Sequence, residues 1–219
     1  MNWMALELSL KLAAWTTVLL LPVGILAGRF LAWRQFKSKP VVEALLMLPL
    51  VLPPTVLGFY MLVAMGGSSI IGQFYMALSG RTLVFSFEGL VVASIIFNLP
   101  FAIQPMQRAF EAIPVEVREA AACCGLKPWR IFWRIELPLA WPGILTSLVL
   151  TFAHTIGEFG IVLMVGGNIP GETQTIAIAI YDQVQAFDNA SAGMMSAVLL
   201  LVSLAAISLT YYGTSFVGR

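Results

Sequence analysis

The sequence predicts an all-α integral membrane protein: about five transmembrane helices and a cytoplasmic helix–turn–helix, in one domain over residues 1–219. Three observations carry that expectation. Mean hydropathy is +0.90. Only 11% of the residues are charged, whereas a soluble domain has roughly a quarter. Apolar runs of the roughly 20 residues needed to cross a bilayer core recur along the chain. The formal net charge of +1 gives no electrostatic reason to expect a nucleic-acid partner.

The first span is expected at about 10–30, around the uncharged run Leu12–Gly28. Its positive charges follow the apolar stretch and no small-residue cleavage site is evident, so it reads as a retained span and not a signal peptide. Ala44–Gly80 also carries no charge, and its first part gives a second span at about 43–64. Pro53 and Pro54 fall in its middle. Adjacent prolines disrupt the helix there, and membranes tolerate freed backbone groups only inside protein or beside water. Two readings stand side by side: a gap lined by Thr55 and Gly58, or a kink that packs helices. Ser69–Leu78 is too short to cross and reads as an outer interfacial helix.

The third span is expected at about 89–107, where Asn98, Pro100, Gln104 and Pro105 suggest a bent helix with polar glue. A fourth at about 139–165 contains His154, Gly157 and Glu158, and a fifth runs over about 193–213. Arg29, Arg34, Lys37 and Lys39 follow the first span; Arg108, Arg118, Lys127, Arg130 and Arg134 follow the third; Arg219 ends the chain. Lys/Arg-rich short loops stay inside. The N-terminus is therefore expected outside and the C-terminus in the cytoplasm, with Lys11 the one dissenting charge.

Residues 108–138 form the second cytoplasmic loop, and its grammar is readable. Pro114 suits a helix start. Ile113, Val117, Ala120, Ala121 and Cys124 recur at helical spacing as an apolar stripe. Glu116 and Glu119 favour the positive N-terminal end, and Gly125 is placed for a left-handed stop. Lys127-Pro128 begins a second short helix with Trp129, Phe132 and Trp133 on its aromatic face, and Pro138 is expected to stop it and open the fourth span. Cys123 and Cys124 are neighbours on one helix, poorly placed for a disulfide, and read as small buried packing residues. A bland surface connector is the rival reading. Against it, the small residues Ala120, Ala121 and Ala122 beside Glu119 permit close approach by another protein.

That loop carries a specific resemblance. Glu119-Ala120-Ala121, three residues, Gly125, nine residues, then Ile135-Glu136-Leu137-Pro138 resembles, at every position, the EAA loop of ABC importer permeases. The resemblance implies a fold like the type I importer permeases and a helix that docks into a groove on a cytoplasmic ATPase. It implies a homodimer in the bacterial-type inner membrane, an ATPase dimer inside and an extracytoplasmic oxyanion-binding protein outside. The chain has no G-x-x-x-x-G-K-[ST] phosphate loop. It is therefore not expected to be an enzyme or to hold a cofactor; ATP and Mg²⁺ would sit on the partner. Leu52–Gly58, Phe152–Gly160 and Gly166–Thr173 resemble permeases for tetrahedral oxyanions, most of all the molybdate branch, with sulfate, thiosulfate or tungstate permeases as alternatives.

Pro53, Pro54, Thr55, Gly58, His154, Gly157 and Glu158 are the candidate path or gate. Glu158 would repel a divalent oxyanion, so a structural or latching role is expected. One candidate partner is His154, four residues back on the same helical face; the other lies across a dimer interface. Two further classes compete. An intramembrane metalloenzyme would need more ligands than the single histidine offers. A partner-free secondary transporter would not need the docking helix, and its expected repeat is not evident.

Overall fold

The computed structural model describes residues 1–208 in full and follows the last helix backbone to Val217. Arg219, used in the orientation argument, lies outside the described residues, as do the side chains of the fifth span beyond Ser208. The chain is helical throughout its described elements: α1 Trp3–Trp33, α2 Lys39–Val51, α3 Pro54–Met65, α4 Ile70–Ser79, α5 Phe87–Glu111, α6 Val115–Cys123, α7 Pro128–Ile131, a π turn Phe132–Glu136, α8 Leu137–Gly157, α9 Gly160–Gly166, α10 Ile176–Gln185 and α11 Asn189–Val217.

Local chemistry explains where four of these helices begin. Asn2, Ser69, Ser86 and Asp188 each accept a backbone N–H three residues on, at 2.9–3.1 Å, the expected answer to unpaired first-turn donors. At Asp188 the hydrogen bonds from Ser191 hold the carboxyl below its ordinary value. That cap starts the last span.

The core is a three-helix arrangement in which α5 packs against both α1 and α8. Small residues set the α1–α5 distance. A Cβ on Gly28 would lie 2.9 Å from the backbone nitrogen of Gln107, and one on Gly24 would lie 2.9 Å from the Ala102 carbonyl oxygen. Gly24 and Gly28 thus form a G-x-x-x-G ridge, the arrangement that lets membrane helices meet backbone to backbone. On α8, Gly143 presses in the same way against Ala109 and the Pro105 carbonyl of α5.

Two expected spans differ from simple rods. The second is not one helix over 43–64: α2 and α3 meet at Leu52-Pro53 with a 108° bend. Thirteen residues of α2 reach only about 20 Å, short of the roughly 30 Å core. The fourth does not run unbroken over 139–165. Helix continues from Pro128 to Gly157, then Glu158 is extended and Phe159 irregular before α9 begins. Nor does Pro138 stop a helix. Its ring would collide with the carbonyl four residues back, and the helix widens into the π turn just ahead of it, with the Leu137 N–H donating to the Phe132 carbonyl.

Candidate functional site

The loop motif folds into α6, a stop, and α7. Gly125 has φ +76°. Its N–H donates to the Ala122 carbonyl at 2.9 Å and the Leu126 N–H to that of Ala121 at 3.2 Å. This pair is the Schellman pattern, which needs a left-handed residue after the helix. Glu119, Ala120 and Ala122 are exposed, whereas Ala121 is only 7% exposed and faces inward. The apolar stripe is therefore split: Ile113 and Ala121 pack inside, while Ala120 and Cys124 look out. Cys123 and Cys124 are both exposed free thiols, which corrects the expectation of buried packing residues. Ile135 and Leu137 are half-buried and Pro138 is exposed.

What fixes this unit to the membrane helices is a charge cluster that sequence reading missed. Glu136 is 1% exposed. Its Oε2 accepts from Arg29 Nε at 2.7 Å, and its Oε1 from Arg118 Nε at 3.0 Å. Arg29 also reaches Oε1 with Nη2 at 3.4 Å. Both guanidinium groups lie over the Trp33 ring, at 5.1 Å and 3.7 Å from its centroid, within cation–π range. A buried carboxylate stripped of one such partner typically costs roughly 3–5 kcal/mol. Alongside it, Gln107 Nε2 donates to Glu43 at 2.8 Å and to Glu111 at 2.9 Å, tying α2 to α5.

The second site is where the broken spans meet. A Cβ on Gly160 would lie 2.7 Å from the Pro54 Cβ, and one on Gly58 would lie 2.8 Å from the Met164 Cβ. Thus α3 and α9 run against each other with no room for side chains at two crossings. Pro53, Pro54, Thr55 and Gly157 are exposed beside this contact, and Gly58 is buried in it. Of the candidate path residues, His154 stands apart. Its ring lies near Phe97 and Phe101, with centroids 4.9 and 4.1 Å away, and Nδ1 is 3.1 Å from Asn98 Oδ1.

The expected His154–Glu158 pair is not formed. The helix ends at Gly157, so the four-residue spacing no longer places both on one face. Instead Glu158 Oε1, from the residue before the N-cap Phe159, accepts from the Ile161 N–H at 3.0 Å and so pairs a first-turn donor of α9 in the manner of a cap. Glu158→Ala should therefore lower the melting temperature of the purified protein, by the roughly 1 kcal/mol of a lost cap. Glu158→Gln, which keeps an acceptor, should stay near the parent; equal melting of the two variants would refute the capping role.

At the opposite end from Glu136 lies a cleft of about 1050 Å³, lined by Glu7, Lys11, Arg81, Glu88 and Glu172 among others. The chain on either side of its Gly171 and Glu172 is held by polar contacts: Asn168 and Gln174 both donate to Asp182, and Thr173 Oγ1 donates to the Gly166 carbonyl.

Comparison with known proteins agrees with this architecture. The family described as "Binding-protein-dependent transport system inner membrane component" matches residues 21–216. The molybdenum transport system permease protein ModB of Azotobacter vinelandii is 47% identical over 97% of this chain and 94% of its own. The Escherichia coli K12 protein of that name is 38% identical over 95% and 90%. A bacterial ABC transporter that imports the acidic polysaccharide alginate superposes with a TM-score of 0.74, at 19% identity, over 95% of this chain and 78% of the other, which shows a shared fold. With the match spanning most of its length, the chain belongs to the family of inner-membrane components of binding-protein-dependent transport systems.

Proposed function

We propose that this chain is the membrane-spanning subunit of an ATP-driven molybdate importer, acting as a homodimer with a cytoplasmic ATPase dimer and an extracytoplasmic oxyanion-binding protein. The observation that carries the coupling role is α6: a short helix with exposed Ala120 and Ala122, stopped at Gly125 and pinned to the bundle through Glu136. Molybdate is favoured by the high identity to molybdenum permeases over nearly the whole chain. ATP and Mg²⁺ belong to the ATPase, and this chain contributes the path and the docking surface. The charged cleft at the other end offers the binding protein a seat.

The test is uptake by the chain reconstituted in proteoliposomes with its co-encoded ATPase and binding protein. Molybdate should accumulate only with ATP. Uptake driven by an ion gradient alone would mean a secondary transporter, and preferential uptake of sulfate or tungstate would move the substrate within the oxyanions.

The basic residues Arg29, Arg118 and Arg108 gather at one end of the bundle, which supports a cytoplasmic α6 and an outer N-terminus. In a chain with Cys123 and Cys124 replaced by alanine, Ser38→Cys should resist an impermeant thiol reagent from outside and Ser191→Cys should react. The reverse pattern would invert the topology.

A further inference from the structure

We infer that Glu136 is the positioning residue through which movement of α6 reaches the membrane helices; this rests on the proposed docking of α6 to an ATPase. Arg118 is the side chain by which the docking helix grips the bundle through an ion pair, and it grips the same carboxylate that Arg29 of α1 holds from the other side. Glu136 itself lies in the π turn that leads into α8. One carboxylate therefore joins α6, α1 and α8.

Burial makes the junction stiff. A carboxylate with 1% exposure has no water to replace a lost partner, so separating it from either guanidinium is costly, and α6 cannot shift without pulling on it. Trp33 reinforces the geometry by lying under both cations. The π turn supplies the compliance. Such turns depart from the regular ladder and occur often at functional positions; here it lies between the helix that docks and the helix that spans.

The experiment uses the full complex in proteoliposomes, measuring molybdate uptake and phosphate release together. Glu136→Gln and Arg118→Gln should each still co-purify with the ATPase and hydrolyse ATP. Molybdate imported per ATP should fall about tenfold or more, within the range of ordinary coupling free energies. Arg118→Lys, which keeps a cation near Glu136, should recover part of that ratio. If Glu136→Gln fails to accumulate in membranes, Arg118→Gln decides, because it leaves the Arg29–Glu136 pair intact. An unchanged import-to-ATP ratio overturns the inference. So does loss of ATPase capture, since Glu136 would then merely shape the docking surface. Failure of the underlying reading shows differently: a bulky side chain at exposed Ala120 would leave ATPase capture untouched.

Discussion

Gly125→Val is expected to abolish transport while leaving membrane abundance near normal, with ATPase co-purification reduced. At φ +76° a Cβ has open space around it, so any penalty comes from the backbone alone. An L-residue in the left-handed region costs roughly 1–2 kcal/mol, and a β-branched one is a true outlier there. With nine residues, α6 has little helical stability of its own. It escapes the strain most easily by giving up the two stop bonds at Ala121 and Ala122, which redirects α7. Gly125→Asn, tolerated in that conformation, should keep most activity. Ala120→Trp, on the exposed side, should block docking with the backbone unchanged. Ala121→Trp is less informative, because that side chain points into the protein. Full transport and ATPase capture in Gly125→Val and Ala120→Trp would reduce α6 to a connector.

Gly28→Leu should have the largest effect on the fold itself. The obstacle is the backbone of α5 at Gln107 and Met106, which cannot swing aside as a side chain would. Overpacking usually costs about 1–3 kcal/mol; here four added carbons must displace a whole helix, so the upper end or beyond is expected. The readout is membrane abundance together with the melting temperature in detergent. Gly24→Ala should be milder, since the flexible end of Met106 accounts for part of its contact. A Gly28→Leu protein that melts with the parent would mean that α1 and α5 stand further apart.

The contrast between these glycines shows what a sequence discloses. Gly125 was legible because a stop after an apolar stripe is a local signal. Gly28 was not, because its partner is 79 residues away in the chain and nothing beside it differs from any small residue in a span. The same distance hid Glu136: nothing in its local sequence marks it out, and its two arginines come from separate helices. Pro53-Pro54 announced a disruption, yet neither the 108° bend nor its rest against Gly160 follows from proline geometry. Glu158 misled because an apolar window counts a residue as spanning whether or not the helix continues through it. Cys123 and Cys124 read as buried by residue type, and the direction α6 faces overrides that preference.

The close contact between α3 and α9 has a kinematic consequence. Each helix is joined to its neighbours by residues outside helical geometry at both ends: Pro53 and Gly66 for one, Glu158 and Gly167 for the other. With no side-chain layer at Gly58 and Gly160, the two cannot slide past each other cheaply. They make one rigid unit between four non-helical joints. The end at Val165 and Gly166 is tethered, by the Phe85 N–H and the Thr173 hydroxyl, and the end at Pro53 and Pro54 is exposed. Because Ile161, Val162 and Val165 of α9 are buried in the core, a displacement of either helix carries the other with it, and Thr55 and Gly157 move together.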